Sequence, residues 1–107
     1  MTHESLQMVI TTARELIRRE HDFFVDTGID NHEHIPRVKR MADAVAAFLE
    51  KESVPSDECV QVRQKLISYA RDLFVAAWMQ PLDGDADSPP SEKEATEYFD
   101  QTLRASV

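Results

Sequence analysis

The sequence predicts an all-α fold, with an antiparallel three-helix core and a short fourth helix at the C-terminus. Apolar residues recur at intervals of three and four positions, which is the period of an amphipathic helix. The chain has only 2 glycines and shows no convincing alternation of apolar and polar residues, which disfavours strands. Short connections between the first three helices favour antiparallel neighbours.

The first helix is predicted over residues 3–26. Thr2 precedes it and carries a hydroxyl group typical of an N-cap, while Gly28 follows it and is a residue type that commonly ends helices. Its apolar stripe contains Leu6, Ile10, Ala13, Ile17 and Phe24, with Val9, Leu16 and Phe23 beside it.

The second helix is predicted to begin around Pro36 and to end near Glu52. The preceding segment TGIDNHEHIP favours a connection, because it is rich in turn-forming residues and because a proline disfavours a helical residue before it. The apolar stripe of this helix contains Ile35, Val38, Met41, Ala42, Val45, Phe48 and Leu49.

The third helix follows a break at Ser53 to Ser56 and ends before Pro81. Its apolar sector is broad, which indicates a second packing surface. The sector contains Cys59, Val62, Leu66, Ile67, Tyr69, Ala70, Leu73, Phe74, Val75, Ala76, Ala77, Trp78 and Met79.

A fourth helix is predicted over residues 92–107, after an acidic, proline-rich linker over residues 81–91. Ser91 and Glu94 have the spacing of a capping box, and Ala95, Tyr98, Phe99 and Leu103 supply an apolar stripe. Residues 1–80 then form the three-helix core, to which the fourth helix is appended within one domain.

Composition narrows the class of protein. The 107 residues carry a formal net charge of -8, which disfavours direct binding to nucleic acid. A lone cysteine, Cys59, indicates a reducing compartment, and no run of residues resembles a secretory signal or a membrane span. We therefore expect a cytoplasmic protein without a membrane or cofactor requirement.

Metal chemistry is a weak possibility at His32 and His34. Two imidazoles in a loop can share a metal ion with Asp26 or Asp30, but most zinc sites need three or four fixed ligands. The alternative interpretation is a polar loop that caps the second helix.

The run HEHIPRVKRMADAVAAF resembles the opening helix of HD-domain phosphohydrolases. His34, Arg37 and Val38 carry the match. That family also needs a His-Asp doublet at the end of a later helix, where this chain has FVAAWMQPLDG. The literal pair His21-Asp22 precedes His34 and is in the wrong order, so a degenerate metal-dependent hydrolase remains only the alternative function.

Two other groups have ordinary structural interpretations. Cys59 lies near a helix start with no identifiable base, so a small buried role is favoured over nucleophilic catalysis. The basic cluster is expected to form a solvated face with helical ion pairs. Its members are Arg14, Arg18, Arg19, Arg37, Lys39 and Arg40.

Aromatic and methionine side chains exceed what a small helical core requires, and such side chains are enriched at protein interfaces. Two interpretations stay open: they complete the core, or they contact a partner, with a homodimer expected when that partner is absent. The candidate partner-binding residues are Phe23, Phe24, Phe74, Trp78, Met79, Leu82, Tyr98 and Phe99.

As a whole, the chain resembles the small antiactivators that block LuxR-type quorum-sensing receptors. The resemblance lies in its short acidic helical character, the start MTHESLQMVITTARELIRREHDFF and the apolar segment DLFVAAWM. It implies a non-enzymatic protein that binds the ligand-binding domain of a transcription factor. Binding of this kind would disrupt the receptor dimer that DNA binding requires.

Overall fold

The computed structural model describes residues 2–27, 31–78 and 92–105, which contain four helices and no strand. The helices are α1 (His3–Thr27), α2 (Asn31–Lys51), α3 (Ser56–Trp78) and α4 (Glu92–Ala105). The all-α prediction is confirmed. The predicted linker over residues 81–91 lies outside the described part of the chain, as does Gly28. No described helix has a stretch apolar enough to cross a membrane.

Helix α1 begins where the sequence predicts. The backbone N–H of Ser5 donates a hydrogen bond to Oγ1 of Thr2 at 3.1 Å, which satisfies one of the unpaired amides of the first turn. The N-cap assigned to Thr2 is therefore confirmed.

Helix α2 begins at Asn31, five residues before the predicted start at Pro36, so that prediction is wrong. Proline inside a helix removes one backbone hydrogen bond and disfavours the helical conformation of the residue before it. His34 and Ile35 are nevertheless buried, at 1% and 0% exposure. Burial of these two side chains, with His34 stacked on Phe24 of α1, outweighs the local preference of proline.

A Schellman motif ends α2 and turns the chain into α3. Ser53 has a φ of 65°, and the N–H of Val54 donates to the carbonyl oxygen of Leu49 at 3.0 Å. The N–H of Ser53 donates to the carbonyl oxygen of Glu50 at 3.1 Å. Val54 thereby packs against the core beside Leu49.

Ion pairs connect each helix to the next one along the chain. Glu20 of α1 pairs with Arg37 of α2, Asp43 of α2 with Arg63 of α3, and Arg71 of α3 with Asp100 of α4. Ion pairs that are partly open to solvent stabilise a fold weakly, so the buried apolar residues between the helices supply most of the stability.

Helix α4 packs against α2 and α3. It buries Ala95 and Phe99 completely, both at 0% exposure. Helix α4 therefore covers part of the broad apolar sector of α3, while Ala76 of that sector stays exposed.

Candidate partner-binding site

Five of the aromatic residues singled out in the sequence assemble into one cluster where α1 ends and α2 begins. Phe74 of α3 is the centre of this aromatic cluster. Its ring centroid lies 6.4 Å from that of Phe24, 5.5 Å from Trp78, 6.0 Å from Tyr98 and 5.5 Å from Phe99. The cluster joins α1, α3 and α4 through their rings.

Burial separates the members of the predicted site. Phe74 and Phe99 are 2% and 0% exposed, because the docking of α4 places one ring against the other inside the core. Phe24, Trp78 and Tyr98 are partly buried against that core.

The remaining predicted residues have two different outcomes. Phe23 is 51% exposed on α1 and stays available to a partner. Met79 and Leu82 lie outside the described residues. Of the two interpretations of the aromatic side chains, completion of the core applies to Phe74 and Phe99, while Phe23 remains a surface residue.

A groove with an almost entirely apolar lining lies between α1 and α2 and has a volume of about 190 Å³. Leu16 of α1 forms one wall and is 47% exposed, while Leu66 of α3 closes the floor. The groove is lined by Ala13, Leu16, Ile17, Met41, Ala44, Val45 and Leu66.

Exposed aromatic rings extend this groove in both directions. Phe23 lies two helical turns after Leu16, and Phe48 lies one turn after Ala44, so each shares a face with the groove residue before it. Phe48 is 45% exposed. Phe23 and Phe48 do not line the groove itself but lie on the same helix faces beyond its two ends. We call the surface that carries Leu16, Phe23, Ala44 and Phe48 the α1–α2 face.

The sequence pattern indicates the residues of the α1–α2 face but does not show that this face is the one left uncovered. Leu16 falls beside the predicted stripe of α1, and Phe48 falls on the predicted stripe of α2. A helical period identifies side chains that share a face, but it does not say which part of that face a neighbouring helix covers. Here α4 packs against α2 and α3 and leaves the α1–α2 face open.

Two buried histidines face each other beneath the same end of the bundle. His21 of α1 is 8% exposed and His34 of α2 is 1% exposed, with ring centroids 6.1 Å apart. The ring of His34 stacks on Phe24 at 4.4 Å. Nδ1 of His21 and both ring nitrogens of His34 have no hydrogen-bond partner among the described residues.

Burial controls the charge of these histidines. It lowers the pKa of His34 to about 4, with a further decrease from the nearby His21. Burial also lowers the pKa of His21. The neutral form of both imidazoles is therefore favoured at neutral pH.

The structure does not support the metal hypothesis in residues 2–27, 31–78 and 92–105. In these ranges no group of three or more His, Cys, Asp or Glu residues is placed to hold a metal ion. His34 belongs to the first turns of α2 and not to a loop. Asp30 and the side chain of His32 lie outside the described residues.

Cys59 has the buried role that the sequence favours. Its side chain is 1% exposed, and its thiol lies 3.5 Å from the carbonyl oxygen of Val54. Burial, together with the carboxylates of Glu50 and Glu58, raises the pKa of the thiol. A raised pKa disfavours the nucleophilic thiolate.

The basic cluster is divided among several contacts. Arg14 lies over the ring of Tyr69 at 4.6 Å, and Arg18 pairs with Asp22 at 3.3 Å. Arg37 lies on α2 and pairs with Glu20 at 3.4 Å. These partners fit the solvated face with ion pairs that the sequence predicts.

Comparisons with known proteins add no family to this description: no family model, curated protein or solved structure matches the chain. The class that the fold defines is an all-helical protein with four helices in its described part.

Proposed function

We propose that this chain is a non-enzymatic regulatory protein that acts in the cytoplasm by binding a protein partner through the α1–α2 face. The supporting observation is that Leu16, Phe23 and Phe48 are each about half exposed on that face. Exposed apolar patches with polar borders are typical of interaction sites. Aromatic anchors commonly supply much of the binding energy at such sites.

A transcription factor of the LuxR type is the proposed partner. The resemblance of the chain to antiactivators of these receptors motivates the choice. A groove between two helices suits the apolar face of a partner helix. The net charge of -8 favours approach to a basic DNA-binding protein. Occupation of the partner's dimerisation surface would then prevent it from binding DNA.

A second copy of the chain is proposed to cover the α1–α2 face when the partner is absent. Apolar surface that stays in water favours association, and a homodimer would remove Leu16 and Phe48 from solvent. Partner binding would then compete with this homodimer for one surface.

The test measures release of DNA from a LuxR-type regulator. Fluorescently labelled operator DNA is bound by the ligand-saturated regulator, and its anisotropy is followed as the chain is added. We expect the wild-type chain to release the DNA and Leu16→Glu to require at least about tenfold more protein, equivalent to about 1.4 kcal/mol. The reason is that the glutamate would have to lose its hydration in an apolar contact.

Val60→Glu is the matched control. Val60 lies on α3 outside the α1–α2 face, is 51% exposed, and gives the same change in charge. Equal loss of activity in the two variants would contradict the assignment of the face. Failure of the wild-type chain to release DNA would contradict the choice of partner. Hydrolysis of a phosphoester by untagged protein with added Mn²⁺ would support the HD-like alternative instead.

A further inference from the structure

We propose that His21 and His34 form an acid-sensitive clasp between α1 and α2: the neutral pair closes this end of the bundle, and protonation opens it. The two histidines lie on α1 and α2, next to the aromatic cluster. It is independent of the identity of any partner, because it rests on the interior of the chain and not on its surface.

The geometry of the pair is suited to neutral rings and unsuited to charged ones. The two centroids are 6.1 Å apart, and both side chains are more than nine-tenths buried. Protonation would place two like charges at that separation in a region of low dielectric constant. The apolar ring of Phe24, stacked on His34, offers neither nitrogen a hydrogen bond.

The nearest carboxylate compensates a charged His34 only in part. Oε1 of Glu20 lies 4.0 Å from Nδ1 of His34, which favours the protonated ring but is beyond hydrogen-bond distance. The same oxygen accepts a hydrogen bond from Arg37 at 3.4 Å. The guanidinium of Arg37 also disfavours a second positive charge beside it.

Other charged groups on α1 act mainly on His21. Asp22 favours the protonation of His21, and Arg18 opposes it. Asp26 and His21 both line a cavity between α1 and α3. Helices α3 and α4 present the rings of Phe74 and Tyr98 to this end of the bundle.

The sign of the effect follows from proton linkage. Histidine in an unfolded or opened chain ionises near pH 6.5, whereas the pKa of closed His34 is lowered to about 4. The closed form is therefore fully favoured above pH 6.5 and loses stability as the pH falls towards 4. Each pH unit within this window shifts the equilibrium by up to about tenfold towards the open form.

Trp78 reports the opening through the aromatic cluster, and its emission is specific because it is the only tryptophan of the chain. Its ring lies 5.5 Å from that of Phe74, which in turn contacts Phe24. We expect its emission to shift to longer wavelength between roughly pH 6.5 and 4, with a smaller fractional change in far-ultraviolet circular dichroism. His34→Phe should move this transition to lower pH by at least about one unit.

His3→Gln is the matched control, because His3 is an exposed histidine on the same helix. It should titrate like the wild-type chain. An unchanged transition in His34→Phe, or the same displacement in both variants, would overturn the clasp.

A second measurement covers the case in which His34→Phe fails to fold. Nuclear magnetic resonance of the wild-type chain, labelled at histidine Cε1, follows each ring through the same pH range. Two buried histidines that resist protonation until the tryptophan signal changes support the clasp. Protonation of both near pH 6.5 without structural change contradicts it. Neither outcome depends on release of DNA by the regulator.

Discussion

At the scale of single residues, Ser53 has an unfavourable backbone conformation. It occupies the left-handed position of the Schellman motif after α2, with a φ of 65°. A side chain at this position is sterically unfavourable, and glycine is the residue type usually found there. The hydrogen bonds of Ser53 and Val54 to the last turn of α2 compensate for this cost.

Ser53→Gly should stabilise the chain. Removal of the Cβ atom relieves the strain of the positive φ. Glycine also makes the unfolded chain more flexible, which offsets part of this effect. We therefore expect the free energy of unfolding to rise by about 0.5–1 kcal/mol. Urea denaturation at pH 7 measures the difference. Ser53→Ala retains the Cβ atom and should give no gain. A similar increase in both variants would show that the positive φ is not the cause.

At the scale of helices, α4 decides which apolar surfaces of the core remain open. Its contacts with α2 and α3 cover the sector around Phe74, while the α1–α2 face stays in solvent. The fully buried ring of Phe99 is the main apolar contact of α4, with Ala95 one turn before it. The stability of the helix in place thus depends strongly on one side chain.

Phe99→Ala should destabilise the fold by about 3–5 kcal/mol, because it removes a fully buried ring and leaves a cavity beside Phe74. The free energy of unfolding in urea measures the loss. Phe23→Ala is the comparison, since that ring is 51% exposed and its removal should cost much less. Equal losses in the two variants would contradict the docking of α4 through Phe99.

At the scale of the whole molecule, an open apolar face accompanies a strongly acidic composition. The charge of -8 favours solubility and repels other copies at long range, whereas Leu16, Phe23 and Phe48 favour association at contact. Salt reduces the repulsion but leaves the apolar contact. Association of the chain with itself should therefore strengthen as the salt concentration rises.

Light scattering at increasing protein concentration tests the proposed homodimer. The wild-type chain should approach twice the chain mass of 12.2 kDa, and Leu16→Glu should remain near 12.2 kDa. Val60→Glu should still associate. A wild-type chain that stays at 12.2 kDa throughout, or a Leu16→Glu variant that keeps the doubled mass, would contradict the dimer.

Local chemistry determined the helices and some of their ends. The apolar period predicts all four helices, Thr2 predicts the start of α1, and the lone Cys59 is the small buried residue that its type indicates. These features depend on neighbours within one or two helical turns, which is the range over which a sequence pattern is informative.

Tertiary packing decided where α2 starts, which aromatic residues are buried, and that the two histidines lie side by side. Burial of His34 and Ile35 carries the helix through Pro36, against the local preference. Phe99 enters the core only because α4 folds back onto α3, and His21 meets His34 only because α1 and α2 lie antiparallel. A helical period fixes which side chains share a face, while the helix that covers the face is chosen by contacts between residues far apart in the chain.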